Sequence, residues 1–258
     1  MQFISCLNAS GRVTDKVLRF PINYYIGEGV SGGKPNHRAL NEILRKKADI
    51  RMVHLLITQD VGKLYDINAP YFEFLKKLGR IGITIHCSND YGSSLEKDLW
   101  FRNVLRIHWE LPEAVLYIEN CHNDLLQLIN VVQALRNIDI EAYILIDTCH
   151  LEMDYANCVI GYKAPVKYFE LFDQLKKYIG AYHISASHGA EGYIKSTHGK
   201  PIINKEDEAF FRKLCEDITR VEYDHDVFII PEVTEESYEE GCPRINGKKA
   251  LKIIKEYI

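Results

Sequence analysis

The chain has 258 residues, of which 47% are hydrophobic and 26% charged, with a formal net charge of −4. This is globular composition with enough apolar material for a sizeable core, and the length fits a single domain over residues 1–258. The negative balance argues against a general nucleic-acid coat, so any contact with a polyanion has to be local, through a charged groove or bound metal ions.

The first twenty residues lack the basic start and unbroken apolar stretch of a signal peptide, and no run approaches the roughly 18 apolar residues that a membrane span needs. Seven cysteines with no CxxC speak against a disulfide framework or a structural zinc finger. The expectation is a cytoplasmic protein with reduced thiols and no membrane partner.

In chain order, short apolar runs alternate with amphipathic stretches. "QFISCLN" (2–8) is a weak first strand candidate, followed by "YYIGEGV" (24–30) and the helical pattern "HRALNEILRKKA" (37–48). Then come "RMVHLLIT" (51–58) with helix 69–80, "IGITIHC" (81–87) with helix 94–111, and "AVLYIEN" (114–120) with helix 124–137. "EAYILID" (141–147) with helix 166–179, "GAYHISA" (180–186) with helix 206–218, and "DVFIIPEV" (226–233) with helix 247–258 complete the series. The runs are rich in Ile, Val and Tyr, as strands buried on both faces should be, and the helices repeat apolar residues at i, i+3, i+4. Seven good βα units and the weak N-terminal one predict an α/β fold of (β/α)8 barrel type, with an irregular or missing strand near the N-terminus. No GxGxxG follows the first strand, and "GEGVSGG" (27–33) has neither the spacing nor the lysine of a phosphate-binding loop.

In such a barrel, chemistry sits where strands end. The ends here carry His86, Glu119, Asp147 with His150 just beyond, His183 and Glu232. An unpaired ionised carboxylate in an apolar run costs several kcal/mol, and three acidic groups brought to one axis repel unless a cation neutralises them. Mixed carboxylate and imidazole ligands suit a divalent metal, Zn first, with Mn or Fe as alternatives. His54 interrupts its run in mid-strand and reads as a packed core residue. His225 falls at the wrong end of its unit, and Cys149 reads as small filler. The long polar loop "SASHGAEGYIKSTHGKPI" (185–202) brings His188, Lys195, His198 and Lys200 to the catalytic face as substrate-binding or metal-binding candidates. Arg45, Lys46 and Lys47 fit either phosphate contacts or a solvated helix face.

"YIGEGVSGG", "YIEN" (117–120), "IDTCH" (146–150) and the His183…His198 pair resemble the endonuclease IV family (AP endonuclease family 2), within the xylose-isomerase-like TIM barrel superfamily. The resemblance covers about residues 24–258. It implies a TIM barrel with up to three zinc ions that cleaves DNA at abasic sites. Glu119 would then bridge two metals, with Asp147, His183 and Glu232 completing one shell. His86 would serve the neighbouring metal, and His150 with His198 the third. Glu119 and Glu232 stand as the catalytic candidates.

Two departures stand out. One of the family's two successive His-ending strands is not evident beside His86, and Ser196 of "STH" replaces an acidic ligand. The remaining quartet, Glu119, Asp147, His183 and Glu232, is also what metal-dependent sugar isomerases and epimerases of the superfamily use for a single ion. An enzyme acting on a small sugar is therefore the alternative, and a non-catalytic member of the superfamily the third reading.

Overall fold

The computed structural model describes residues 2–8, 21–26, 37–58, 60–87, 94–120, 125–151, 168–184 and 205–231. Strand β1 comes in two segments, Gln2–Phe3 and Ser5–Asn8, followed by β2 (Ile22–Tyr25), β3 (Ile50–His54) and β4 (Gly82–His86). β5 (Val115–Glu119), β6 (Ala142–Asp147), β7 (Ile179–Ile184) and β8 (Phe228–Pro231) follow. The helices between them are α1 (His37–Arg45), the short α2 (Leu64–Asn68) and α3 (Phe72–Leu75), α4 (Ser94–Glu110), α5 (Leu125–Arg136), α6 (Tyr168–Leu175) and α7 (Lys205–Thr219).

Among the described residues every strand pairing is parallel, and each of β2 to β8 lies beside its chain neighbour. The sheet closes through β1, whose first segment pairs with β8 and whose second pairs with β2. Ile4, between the segments, donates its N–H to the Ile229 carbonyl at 3.1 Å. "QFISCLN" is therefore the strand that shuts a (β/α)8 barrel, and the irregular N-terminal part expected from the sequence is its division at Ile4.

The strands form because their residues can be buried on both faces: all of Val115–Glu119 and all of Ile179–Ile184 are buried. Side chains alternate between two cores. Leu116, Ile118, Ile144, Ile146, Tyr182 and Val53 point outward into the large core under the helices. Met52, Val115, Tyr117, Leu145, Ala181 and Ile230 point inward and fill the lumen. Helix α5 turns Leu125, Leu128, Ile129, Val132 and Leu135 onto the sheet, spaced at one helical face.

Tyr117 and Tyr143 occupy much of the lumen floor, which leaves no room for side chains at two neighbouring positions. A Cβ at Gly82 would lie 2.8 Å from Tyr117, and one at Gly180 would lie 2.7 Å from Tyr143.

Two boundaries differ from the sequence reading. The helix expected over 69–80 is instead a series of short turns from Val61 to Leu78, ended at Gly79 with φ 73°. The strand expected to run to Thr58 ends at His54. Leu55 and Leu56 continue the apolar run in a buried loop, whose Leu56 N–H and C=O both bond the Asn68 side chain. Apolarity marks burial, and a buried loop reads like a strand when its backbone partners come from a distant side chain. No helix among the described residues is long and apolar enough to cross a membrane.

Candidate metal centre

The site follows from the same alternation that builds the lumen. His54, Glu119, Asp147 and His183 are each the next inward position after Met52, Tyr117, Leu145 and Ala181. Parallel strands of one barrel bring these positions to one end. The register pairs His86 with Glu119 and Asp147 with His183. All four of His54, Glu119, Asp147 and His183 are buried, whereas the His86 side chain retains 19% exposure.

Glu119 is the hub. Its Oε2 lies 2.9 Å from His54 Nε2 and 3.1 Å from His86 Nε2, while its Oε1 lies 3.0 Å from His183 Nδ1. Burial opposes ionisation of this carboxyl. The adjacent His86, His183 and His54 rings outweigh it and hold the group well below the usual carboxylate range. Two triads result, His54–His86–Glu119 and Glu119–Asp147–His183, and within each the potential ligand atoms lie within 4.8 Å of one another.

Whether this donor set fits a cation is tested by the His54 ring. Its Nδ1 lies 2.8 Å from the Leu55 carbonyl oxygen, which can only accept, so the proton of the neutral ring sits on Nδ1. Nε2 then presents a lone pair to Glu119 Oε2 at 2.9 Å and to His86 Nε2 at 3.0 Å. A lone pair facing a carboxylate oxygen at that distance is repulsive unless a proton or a cation lies between them. A backbone carbonyl behind a ligating imidazole is also the usual way to fix its tautomer. The residues fit a divalent metal.

The surroundings hold the ligands in place. Tyr25 stacks on the His54 ring at 4.4 Å between centroids. Trp100 Nε1 donates to the His86 carbonyl at 3.0 Å. The Asn120 amide continues the β5–β6 ladder by side chain. Its Oδ1 accepts from Asp147 N–H at 2.6 Å, and its Nδ2 donates to the Asp147 carbonyl at 3.3 Å. Asp147 Oδ1 in turn accepts from Cys149 N–H at 2.8 Å.

The structure thus gathers His86, Glu119, Asp147 and His183 at one point, with His150 beside them, its Nε2 3.5 Å from Asp147 Oδ2. Glu232, His188, Lys195, His198 and Lys200 lie outside the described residues. His54, assigned to packing by the sequence reading, stands among the potential ligands. Its signal was the inward register shared with Met52, which an overlong strand boundary concealed. Asn23, Tyr25 and Asn120 were not singled out from sequence either. Arg45 closes α1, and Lys46 lies 3.4 Å from Glu42. Both precede the start of β3 at Ile50, the barrel end opposite His54, so they take the solvated-face reading. His225 likewise sits at that far end, stacked on Tyr143 with its Nε2 2.6 Å from the Ile179 carbonyl.

No protein-family model matches the chain, and no curated protein does. Solved structures do resemble it. A xylose isomerase domain protein from Planctomyces limnophilus superposes with a TM-score of 0.62 at 11% identity, over 99% of this chain and 95% of that one. A Thermus thermophilus protein soaked with ZnCl2 gives 0.59 at 12% identity, over 100% and 98%. A xylose isomerase-like TIM barrel protein from Mycobacterium smegmatis in complex with magnesium gives 0.53 at 12% identity, over 94% and 86%. At such identities the likeness carries the fold alone, a (β/α)8 barrel.

Proposed function

We propose that this chain is a metal-dependent hydrolase of phosphodiesters, with DNA containing abasic sites as the first substrate to test. The observation that carries the reading is the sharing of Glu119 between two triads, one carboxylate oxygen facing His54 and His86 and the other facing His183. A centre built for one ion would use the Glu119–Asp147–His183 triad and leave His54 and His86 without a role. His54 at the end of its strand would serve as the second of the two successive His-ending strands that the endonuclease IV resemblance calls for.

Divalent ions held by the two triads would polarise a phosphodiester and acidify a water beside it. The chain's own residues supply the rest. Glu119 stays ionised in a dry site because three imidazoles surround it. Asp147 is clamped through its main chain by Asn120 and through its carboxylate by the Cys149 N–H. His86 and His150 keep 19% and 12% side-chain exposure and would meet an incoming substrate, whereas His54 and His183 are buried.

A second reading keeps one observation of its own. The net charge is −4, and Arg45 and Lys46 lie at the far end of the barrel, which suits a small sugar better than a polyanion. A metal-dependent isomerase or epimerase would draw on Glu119, Asp147, His183 and Glu232.

Elemental analysis and turnover separate the two. The hydrolase reading expects two or more Zn or Mn equivalents and nicking of a duplex carrying one abasic site, both lost in Glu119→Gln. One equivalent, an intact duplex and epimerisation of a ketose panel would overturn it.

A further inference from the structure

Behind His183, on the side away from Glu119, lies Asn23 of β2, fully buried and reaching in from three strands away. Its Nδ2 is 3.5 Å from His183 Nε2. Its Oδ1 is buried with no hydrogen-bond partner among the described residues. A buried acceptor left unpaired is uncommon, because it forfeits its hydration for nothing.

The two nitrogens of His183 explain this arrangement. Nδ1 faces Glu119 Oε1 at 3.0 Å, the side shared with Asp147, and is the atom positioned to hold a cation. With no cation, the neutral ring keeps its proton on Nδ1, donates it to Glu119 and offers a lone pair at Nε2. The Asn23 amide NH2 donates to that lone pair, and Oδ1 is left over. Once Nδ1 gives its lone pair to a metal, the ring remains neutral by carrying its proton on Nε2 instead. An amide NH2 would then face an N–H, donor against donor. A half-turn of the amide exchanges two groups of nearly equal size and sets the idle Oδ1 on Nε2–H.

We propose that Asn23 is a positioning residue that supports the metal-binding tautomer of His183, its amide turned one way in the ion-free protein and the other way in the loaded one. The inference rests on the metal reading above. It adds a residue on β2, a strand that supplies no ligand to either triad, and gives the orphaned oxygen a partner.

The test combines metal titration against a chromophoric chelator with nitrogen-15 NMR of histidine-labelled protein. In wild type, zinc should move the His183 proton from Nδ1 to Nε2. Asn23→Leu, of similar volume but with no acceptor, should fold and bind the Asp147–His183 ion about 10- to 100-fold more weakly, the usual effect of removing a partner behind a ligand. Asn23→Asp should restore most of the affinity, because a carboxylate accepts from Nε2–H. A loaded wild type whose Nε2 carries no proton, or an Asn23→Leu protein that binds zinc as wild type does, would overturn the assignment while leaving the metal centre intact. A wild type that takes up no metal would remove the centre and the role of Asn23 together. Should Asn23→Leu fail to fold, Asn23→Asp serves in its place: affinity close to wild type is expected, and a loss of about 10-fold or more would overturn the assignment.

Discussion

Glu119 shows how a single buried carboxylate can organise a site. Removal from water penalises its charge, yet the three imidazoles around it keep it ionised. The proton fixed on His54 Nδ1 by the Leu55 carbonyl leaves Nε2 to meet Glu119 Oε2 only through a second proton or a cation. Ligand substitutions should therefore separate the two triads. His54→Gln should remove the ion of the His54–His86 pair and keep the one at Asp147 and His183. Asp147→Asn should do the reverse, and Glu119→Gln should lose both. Metal counts on the three purified proteins check this, and a full complement in His54→Gln would return His54 to a packing role.

At the scale of elements, the strand ends do the positioning. Asn120 acts as one more rung of the β5–β6 ladder, made by a side chain where the backbone pairing stops. Removing it strands the Asp147 N–H in a buried place, at a cost of about 1–3 kcal/mol. Asn120→Ala should lower the urea midpoint by a corresponding amount and weaken metal retention. Equal stability of Asn120→Ala and wild type would mean that the clip is dispensable. Elements also explain what sequence reading located and what it missed. Glu119 and Asp147 were legible because each ends an apolar run abruptly. His54 was not, because its run continues into Leu55 and Leu56, buried in a loop held by Asn68. Asn23 and Asn120 were hidden because an amide carries no hint in sequence of the backbone or ring it will meet.

Across the whole molecule, burial holds several ionisable groups neutral. The Cys215 thiol is pushed up to about 12 from 9.0, and the hydroxyls of Tyr117, Tyr168 and Tyr182 are raised, all chiefly by desolvation. Unfolding exposes these groups and lets them ionise at their ordinary values, so above those values the unfolded chain binds fewer protons than the folded one. Stability is then level below about pH 9 and falls as pH rises toward 12, by about 1.4 kcal/mol per pH unit for each group fully displaced. Urea midpoints between pH 8 and 10.5 should decline in this way. A flat profile would show that these groups ionise without unfolding.

The sequence by itself determined the alternation of strand and helix, the parallel barrel, and the carboxylates at its strand ends, because these depend on local periodicity and on the cost of burying charge. Only the tertiary structure decided that "QFISCLN" closes the barrel by pairing with strands at both ends of the chain. It also decided that the strand of His54 stops at His54, and that Glu119 divides its oxygens between two sets of imidazoles. Those facts depend on which distant groups satisfy each hydrogen bond, and that is settled only when the chain closes on itself.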